Sequence, residues 1–190
     1  MTVNKLSLVF PSGTTLDICQ GDITLEETDA IVNAANAQLM HGGGVAAAIA
    51  QRGGSAITHE SCDWVRQHGP VSHSQPAYTS GGNLRCKYVI HAVGPIWGEG
   101  KEDLKLSQAI ISSLDLAVQL DVRSIAFPTI STGIYGFPKE KAAGIFYDTL
   151  MAYFSADKSS SLRLIRLVLF DEPTAVVFRK VFQQYFNDKE

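Results

Sequence analysis

Apolar residues recur at helical spacing in five stretches of the chain. In 103–120, for example, Leu106, Ile110 and Leu114 are spaced to fall on one side of a helix. Glycines close two of the other stretches, as is common at helix C-termini. The five predicted helices cover residues 44–54, 55–69, 103–120, 138–154 and 173–186.

Short apolar runs without polar alternation lie between these stretches and predict strands that are covered on both faces. Two earlier runs flank a turn at 11–13 and predict a hairpin, and 77–84 predicts an edge strand with a glycine bulge. A capping box of Thr24 and Glu27 predicts a very short helix, and serines at 159–161 predict a loop. The predicted strands cover 5–10, 14–21, 30–36, 77–84, 87–95, 124–130 and 162–170.

Strands and helices alternate from residue 30 onwards, which predicts an α/β fold with a mostly parallel sheet and helices on both faces. The opening hairpin adds antiparallel strands at one edge. No repeat or linker divides the 190 residues, so we expect a single domain over 1–190. Ligands of such sheets bind beyond the carboxyl ends of the strands, which directs attention to the segments that follow them.

Composition and charge exclude several classes of function. The net charge of −3 argues against bulk nucleic-acid binding, and no apolar run approaches the length of a membrane span. The three cysteines form no pair with zinc spacing, so we expect neither a metal nor a disulfide framework. An odd cysteine count without a leader sequence favours a cytoplasmic protein, and we expect a monomer.

Three consecutive glycines, Gly42, Gly43 and Gly44, open the helix predicted at 44–54. Backbone N–H groups at a helix N-terminus attract anions, and glycine leaves room for a phosphate to approach them. The alternative is a tight connection between strand and helix, for which one glycine would be enough. We therefore favour a phosphate contact.

Two familiar phosphate-binding motifs do not fit this loop. A P-loop requires Lys followed by Ser or Thr, whereas Val45 and Ala46 follow the last glycine. The dinucleotide fingerprint places its first glycine directly after a strand, but here five residues separate Asn36 from Gly42, and the acidic candidates Glu60 and Asp63 lie in a predicted helix. A nicotinamide-dependent oxidoreductase is therefore a poor fit.

A second loop rich in free amides follows the strand predicted at 124–130. Residues 131–136 read Ser-Thr-Gly-Ile-Tyr-Gly and precede a helix that starts near Pro138. Such a nest of N–H groups can enclose an anion. Because neither loop contains Lys or Arg, we expect backbone amides to hold a diphosphate and salt to weaken its binding only modestly.

Five short motifs in order make the chain resemble the macrodomain family across roughly residues 5–188. They are GDIT at 21–24, NAAN at 33–36, GGGVAAAI at 42–49, HAVGP at 91–95 and STGIYGFP at 131–138. The resemblance implies a three-layer α/β/α macrodomain fold with a central mixed, mostly parallel sheet. It also implies binding of ADP-ribose, either free or on ADP-ribosylated proteins.

The resemblance implies a role for each matching position. Asp22 would accept a hydrogen bond from the adenine amine, with a backbone donor from Ile23, although Asp22 is also suited to cap the short helix. Phe170 would stack on adenine, the alternative being a core phenylalanine. Asn36 would bind hydroxyls of the distal ribose. The remaining ligand positions implied are Gly42, Gly43, Gly44, Val45, Ser131, Thr132, Gly133, Ile134 and Tyr135.

Some polar residues in these motifs have simpler interpretations. Tyr135 is as well suited to packing on its own domain as to lying against the ribose. Asn33 is interpreted as structural, tying the loop backbone through its side chain, and His91 as a structural residue of a buried strand. His41, at the start of the glycine loop, is either functional or a solvated loop histidine.

The family contains hydrolases and pure binders, and this sequence departs from many of the hydrolases. Those members have an aspartate after the valine of the glycine loop, where this chain has Ala46. Our hypothesis is hydrolysis of mono-ADP-ribose from Asp or Glu, or deacetylation of O-acetyl-ADP-ribose, with Asn36 and Gly44 as the catalytic residues and without cofactor or metal. The alternative is a non-catalytic reader of ADP-ribosylated proteins.

Overall fold

A seven-stranded mixed sheet forms the centre of the molecule. The computed structural model describes residues 5–155 and 161–187. The strands are β1 (Leu6–Val9), β2 (Thr15–Gln20), β3 (Ala30–Ala35), β4 (Ala77–Ser80), β5 (Tyr88–Val93), β6 (Ser124–Phe127) and β7 (Leu164–Leu169). Their order across the sheet is β1-β2-β7-β6-β3-β5-β4, and only the two outer pairs, β1–β2 and β4–β5, are antiparallel.

Helices cover both faces of this sheet. They are α1 (Gly44–Gly53), α2 (Ser55–His68), α3 (Glu102–Gln119), α4 (Lys139–Ser155) and α5 (Glu172–Asn187). Apolar residues of α3, α4 and α5 form the larger core on one face, and those of α1 and α2 form a smaller core on the other. In β3, Ala30 and Val32 belong to the first core and Ile31 to the second, as the side-chain alternation of a strand requires. The predicted three-layer α/β/α fold is confirmed.

Two local predictions are wrong. The short helix is a 3₁₀ turn at Ile23–Leu25 that Asp22 caps, so Thr24 and Glu27 form no capping box. The helix begins one residue before the predicted cap, which turns Thr24 into a donor to Asp22.

The strand β4 is an edge strand as predicted, but its register with β5 is unbroken, and the glycines that predicted a bulge lie in the following turn. The serine-rich loop at 159–161 lies largely outside the described residues.

The parallel strands β3 and β6 pair over a very short length. Ala30 and Ile31 pair with Ile125 and Ala126, whereas β3 pairs with β5 over all six of its residues. Pairing between the two central strands stops beyond Ile31, and β6 ends at Phe127, directly before Pro128, which has no N–H to donate to a neighbour. This separation opens a crevice at the carboxyl ends of the central strands, where ligands of α/β sheets bind.

Gly94, directly after β5, lies against the chain that follows β6. A Cβ atom at this position would lie 2.2 Å from Oγ of Ser131 and 2.3 Å from Cγ2 of Ile130, far inside van der Waals contact. Only a residue without a side chain allows the segments after β5 and β6 to approach this closely. The position of the second loop therefore depends on Gly94.

We predict that Gly94→Ala lowers the free energy of unfolding by about 1–3 kcal/mol, because the second loop must shift to admit the methyl group. Urea unfolding followed by circular dichroism measures the change. Gly144→Ala in α4 is the matched control, since a Cβ there would meet nothing within 4 Å. Equal stability of Gly94→Ala and the unaltered protein would contradict this account of the loop.

Candidate functional site

A cleft of about 860 Å³ lies at the carboxyl ends of β2, β7, β6, β3 and β5. Its walls come from the segments that follow these strands. All thirteen residues predicted to bind a ligand line this one cleft. The structure therefore brings together positions that are up to 148 residues apart in sequence, from Asp22 to Phe170.

One wall of the cleft is the glycine loop at the start of α1. The helix has no side-chain cap, so no capping side chain accepts a hydrogen bond from its first-turn N–H groups. Gly44 has a φ of +56°, a conformation that favours glycine, and Gly43 is fully extended with a φ of −172°. This backbone presents unblocked amide donors and the positive end of the helix dipole to the cleft.

The side chain of Asn36 fixes the shape of the segment between β3 and the glycine loop. Its Oδ1 accepts hydrogen bonds from the backbone N–H of Gln38 at 3.1 Å and of Met40 at 3.0 Å, and its Nδ2 donates to the carbonyl of Met40 at 2.7 Å. The loop-tying role that the sequence assigned to Asn33 therefore belongs to Asn36. One amide hydrogen of Asn36 remains for a ligand.

The second loop forms the opposite wall. Ser131 has a φ of +70°, is buried, and its Oγ has no hydrogen-bond partner among the described residues. Its carbonyl accepts from Phe137 N at 3.0 Å, which closes the loop on itself. Ile134 is 84% exposed, and its Cδ1 lies 3.5 Å from where a Cβ of Gly43 would be. The two loops therefore approach each other across the cleft through this one side chain.

Asp22 and Phe170 stand at the far end of the cleft from the glycine loop. Asp22 caps the 3₁₀ turn, which confirms the structural role considered for it, and its carboxylate also lines the cleft. Phe170 follows β7 and is 81% exposed, so the alternative of a core phenylalanine is wrong. Ile23 is buried beside Asp22. An exposed ring and a carboxylate at one end suit a flat ligand group that carries hydrogen-bond donors.

Sequence reasoning missed a cation at the cleft. Lys139, the first residue of α4, lines the cleft and lies 3.5 Å from Asp171, which in turn caps α5 through Thr174. Lys139 was missed because it lies beyond the second loop in sequence. Its place at the start of α4 brings it back to the wall of the cleft. One exposed lysine adds a screened attraction for anions, and the modest effect of salt on binding stays a prediction.

A buried polar cluster lies beneath the glycine loop. His91 is fully buried; its Nδ1 accepts from Nδ2 of Asn33 at 3.0 Å, and its Nε2 lies 3.1 Å from Oγ1 of Thr79. Because Thr79 donates to the carbonyl of Ser80, Nε2 of His91 carries the proton in this pair. Burial and the neighbouring His41 lower the pKa of His91 to about 3, so the ring is neutral. The structural interpretation of His91 fits these contacts.

His41 is packed, not solvated as one interpretation had it. Its Nε2 lies 3.0 Å from Oγ of Ser61 in α2, and its ring centroid lies 5.5 Å from that of His91. Burial lowers the pKa of His41 below its usual value. These contacts connect the glycine loop to the second helix behind it.

The glycine-loop end of the cleft contains no carboxylate among the described lining residues. Ala46 is buried there in place of an acidic residue, and the ionisable groups that line the cleft are Asp22, Tyr135, Lys139 and Asp171. No group of three or more potential metal ligands occurs within 5–155 and 161–187. The arrangement can therefore position a ligand and donate hydrogen bonds, but it offers no general-base carboxylate beside the loop.

The acidic residues considered for a dinucleotide fingerprint are engaged elsewhere. Glu60 accepts hydrogen bonds from the backbone and hydroxyl of Ser80, and Asp63 pairs with Arg66 on the surface of α2. Neither residue lines the cleft.

In the same described residues, no helix is long and apolar enough to cross a membrane.

Comparison with known proteins finds close similarity over most of the chain. A family model described as Macro domain matches residues 32–146, which include both loops. A macro domain-containing protein of Listeria monocytogenes is 43% identical over 87% of this chain and 96% of its own length. A relative from Thermotoga maritima is 46% identical over 90% of this chain, which spans 29% of that relative's length.

Solved structures show the same similarity in three dimensions. A variant of the Oceanobacillus iheyensis macrodomain with ADPR matches with a TM-score of 0.90 and 30% identity, over 97% of this chain and all of the other.

We predict that the buried, neutral His91 makes the fold sensitive to acid. The folded-state pKa of about 3 lies below the value of 6.5 in the unfolded chain, so the unfolded state binds more protons between these values. The contribution of His91 to the free energy of unfolding is therefore complete above pH 6.5 and decreases as the pH falls. At pH 5 the loss from this group alone is about 2 kcal/mol. His41 acts in the same direction.

Urea unfolding at pH 7.5 and pH 5.0 tests this prediction. His91→Gln keeps an acceptor and a donor on the side chain but cannot titrate, so we expect its loss of stability on acidification to be smaller by about 2 kcal/mol. Identical pH dependence in the two proteins would contradict the assignment of acid sensitivity to His91.

Proposed function

The chain belongs to the macrodomain family, and from that premise we propose that its cleft binds ADP-ribose, free or attached to a protein. One observation carries the proposal: two loops of unblocked backbone amides face each other across the crevice between β3 and β6. A diphosphate suits this gap, because N–H groups at a helix N-terminus and in a loop can share its charge. The Oceanobacillus iheyensis relative with ADPR supports the same ligand.

The two ends of the cleft support the orientation of the ligand. Adenine fits between the exposed ring of Phe170 and the carboxylate of Asp22, which accepts a hydrogen bond from the base amine. The distal ribose then lies by the glycine loop, where the remaining amide hydrogen of Asn36 is within the cleft wall. Tyr135 also lines the cleft, and its contact with the distal ribose stays a prediction. The cleft volume of about 860 Å³ falls in the range of small-molecule sites.

Beyond binding, we infer hydrolysis of ADP-ribosyl esters on Asp or Glu, and of O-acetyl-ADP-ribose by the same chemistry. Water adds across the ester bond, so the products are the free carboxylic acid and ADP-ribose. A phosphate oxygen of the substrate orients and polarises the water, while Asn36 and the loop at Gly44 hold the ribose. Positioning and amide donors supply the rate enhancement in this scheme, which needs no metal.

A reader of ADP-ribosylated proteins is the second candidate. Ala46 favours it, because the buried methyl group stands where many hydrolytic family members have an aspartate. A reader needs the same cleft and no activated water. A monomeric state and a cytoplasmic location stay predictions for either function.

We predict that Phe170→Ala weakens ADP-ribose binding about 5- to 150-fold, the equivalent of the 1–3 kcal/mol that a base gains by stacking on an aromatic ring. The fold should be unaffected, because this side chain is 81% exposed. Isothermal titration calorimetry measures the affinity. Leu104→Ala, at an exposed apolar residue of α3, is the control. Unchanged affinity in Phe170→Ala would contradict the placement of the base.

Incubation with a protein that carries ADP-ribose on Asp or Glu separates enzyme from reader. We predict release of ADP-ribose by the unaltered chain and at least a tenfold lower rate for Asn36→Ala, whose loop loses the hydrogen bonds to Gln38 and Met40. If the unaltered chain binds ADP-ribose but releases it from the protein no faster than Asn36→Ala does, the non-catalytic reader is the function supported. Absence of binding at high micromolar ADP-ribose would refute both functions.

A further inference from the structure

The two carboxylate oxygens of Asp22 have different partners. Its Oδ1 accepts from the backbone N–H of Thr24 at 3.0 Å and from the Thr24 hydroxyl at 2.6 Å. Its Oδ2 lies 3.3 Å from Nη2 of Arg52. Thr24 therefore holds one oxygen firmly inside the 3₁₀ turn, and the oxygen with capacity to spare is the one beside Arg52.

Arg52 lies on the last turn of α1, the helix whose first residue is Gly44 of the glycine loop. Asp22 is its ion-pair partner among the described residues, and the two side chains are 48% and 30% exposed. A cation at a helix C-terminus is favourable in its own right, since it interacts with the helix dipole. That simple stabilisation predicts no effect of Arg52 on which base the cleft accepts.

We propose that Arg52 is a positioning residue that sets base selectivity by fixing the direction of Oδ2 of Asp22 towards the ligand. This inference rests on the proposed function. An ionised carboxylate only accepts hydrogen bonds, so it matches the amine at C6 of adenine and faces the carbonyl oxygen at C6 of hypoxanthine with lone pairs. A site built for one hydrogen-bond pattern rejects the ligand that leaves its polar group unpaired.

Removal of Arg52 leaves Thr24 on Oδ1 but removes the partner of Oδ2, so the direction of Oδ2 is no longer fixed. A carboxylate that can turn Oδ2 away from the carbonyl oxygen of hypoxanthine lowers the cost of accepting the wrong base. The diphosphate loops stay in place. Arg52 therefore affects discrimination between bases more than it affects affinity for the common diphosphate.

Calorimetric titration with ADP, IDP and ADP-ribose tests the proposal. For the unaltered chain we expect tighter binding of ADP than of IDP. In Arg52→Gln we expect the ratio of the two dissociation constants to fall at least about fivefold, with most of the ratio retained in Arg52→Lys. Arg66→Gln, which removes a surface ion pair with Asp63 on α2, is the matched control and should leave the ratio unchanged.

A double-mutant cycle identifies the route of the effect. Asp22→Asn should shift preference towards IDP, because an amide can donate to the carbonyl, and Arg52→Gln should add little in that background. An unchanged ratio in Arg52→Gln, an equal loss for ADP and IDP, or full additivity with Asp22→Asn would overturn the proposal while leaving ADP-ribose binding intact. Failure of the unaltered chain to bind ADP-ribose would refute the proposed function as well. If Arg52→Gln does not fold, Arg52→Met, which keeps the length of the side chain without its charge, is measured in its place against the same ratio.

Discussion

The separation of β3 from β6 is the constraint on which the rest of the site depends. Two parallel strands in the middle of a sheet would normally satisfy each other's backbone along their length. Here they share two residue pairs and then diverge, and the chain leaves each strand on opposite sides of the resulting crevice. Because β3 remains paired with β5 throughout, the sheet stays intact while its centre opens at one end.

The loops that leave these strands are shaped by their own backbone bonds. Asn36 closes the segment before the glycine loop, and the bond from Phe137 N to the Ser131 carbonyl closes the second loop. Gly94 lets the second loop lie close to the end of β5. Each loop is therefore held from within and from behind, so the amides that face the cleft can stay unpaired. A preorganised set of donors binds an anion without the reorganisation that flexible lysines would require.

Periodicity predicted the strands, the helices and their layers because burial on one or both faces fixes the spacing of apolar residues. The motifs after the strands predicted the lining of the cleft because parallel strands end at one edge. The roles of individual side chains were harder to predict from the sequence. Asn33 and Asn36 differ by three residues in one motif, and only the end of β3 at Ala35 decides that Asn33 is buried in the sheet while Asn36 reaches the loop. Lys139 comes to the cleft through the start of α4, which no local pattern reveals.

The helix α1 connects the two ends of the cleft. Its ten residues span about 15 Å, from the amides at Gly44 to the last turn that carries Arg52. Its N-terminal dipole faces the place proposed for the diphosphate, and its C-terminal arginine lies beside Asp22, the carboxylate proposed to bind the base. A nucleotide bound in this cleft would lie along the single rigid helix α1. The distance between its base and its phosphates would therefore contribute to recognition. The charged groups collect at the base end, and the glycine-loop end contains backbone and a neutral amide. In the proposed orientation of ADP-ribose, selectivity would therefore come from the base-binding end of the cleft, and chemistry at the distal ribose would come from positioning and from groups that the ligand itself supplies.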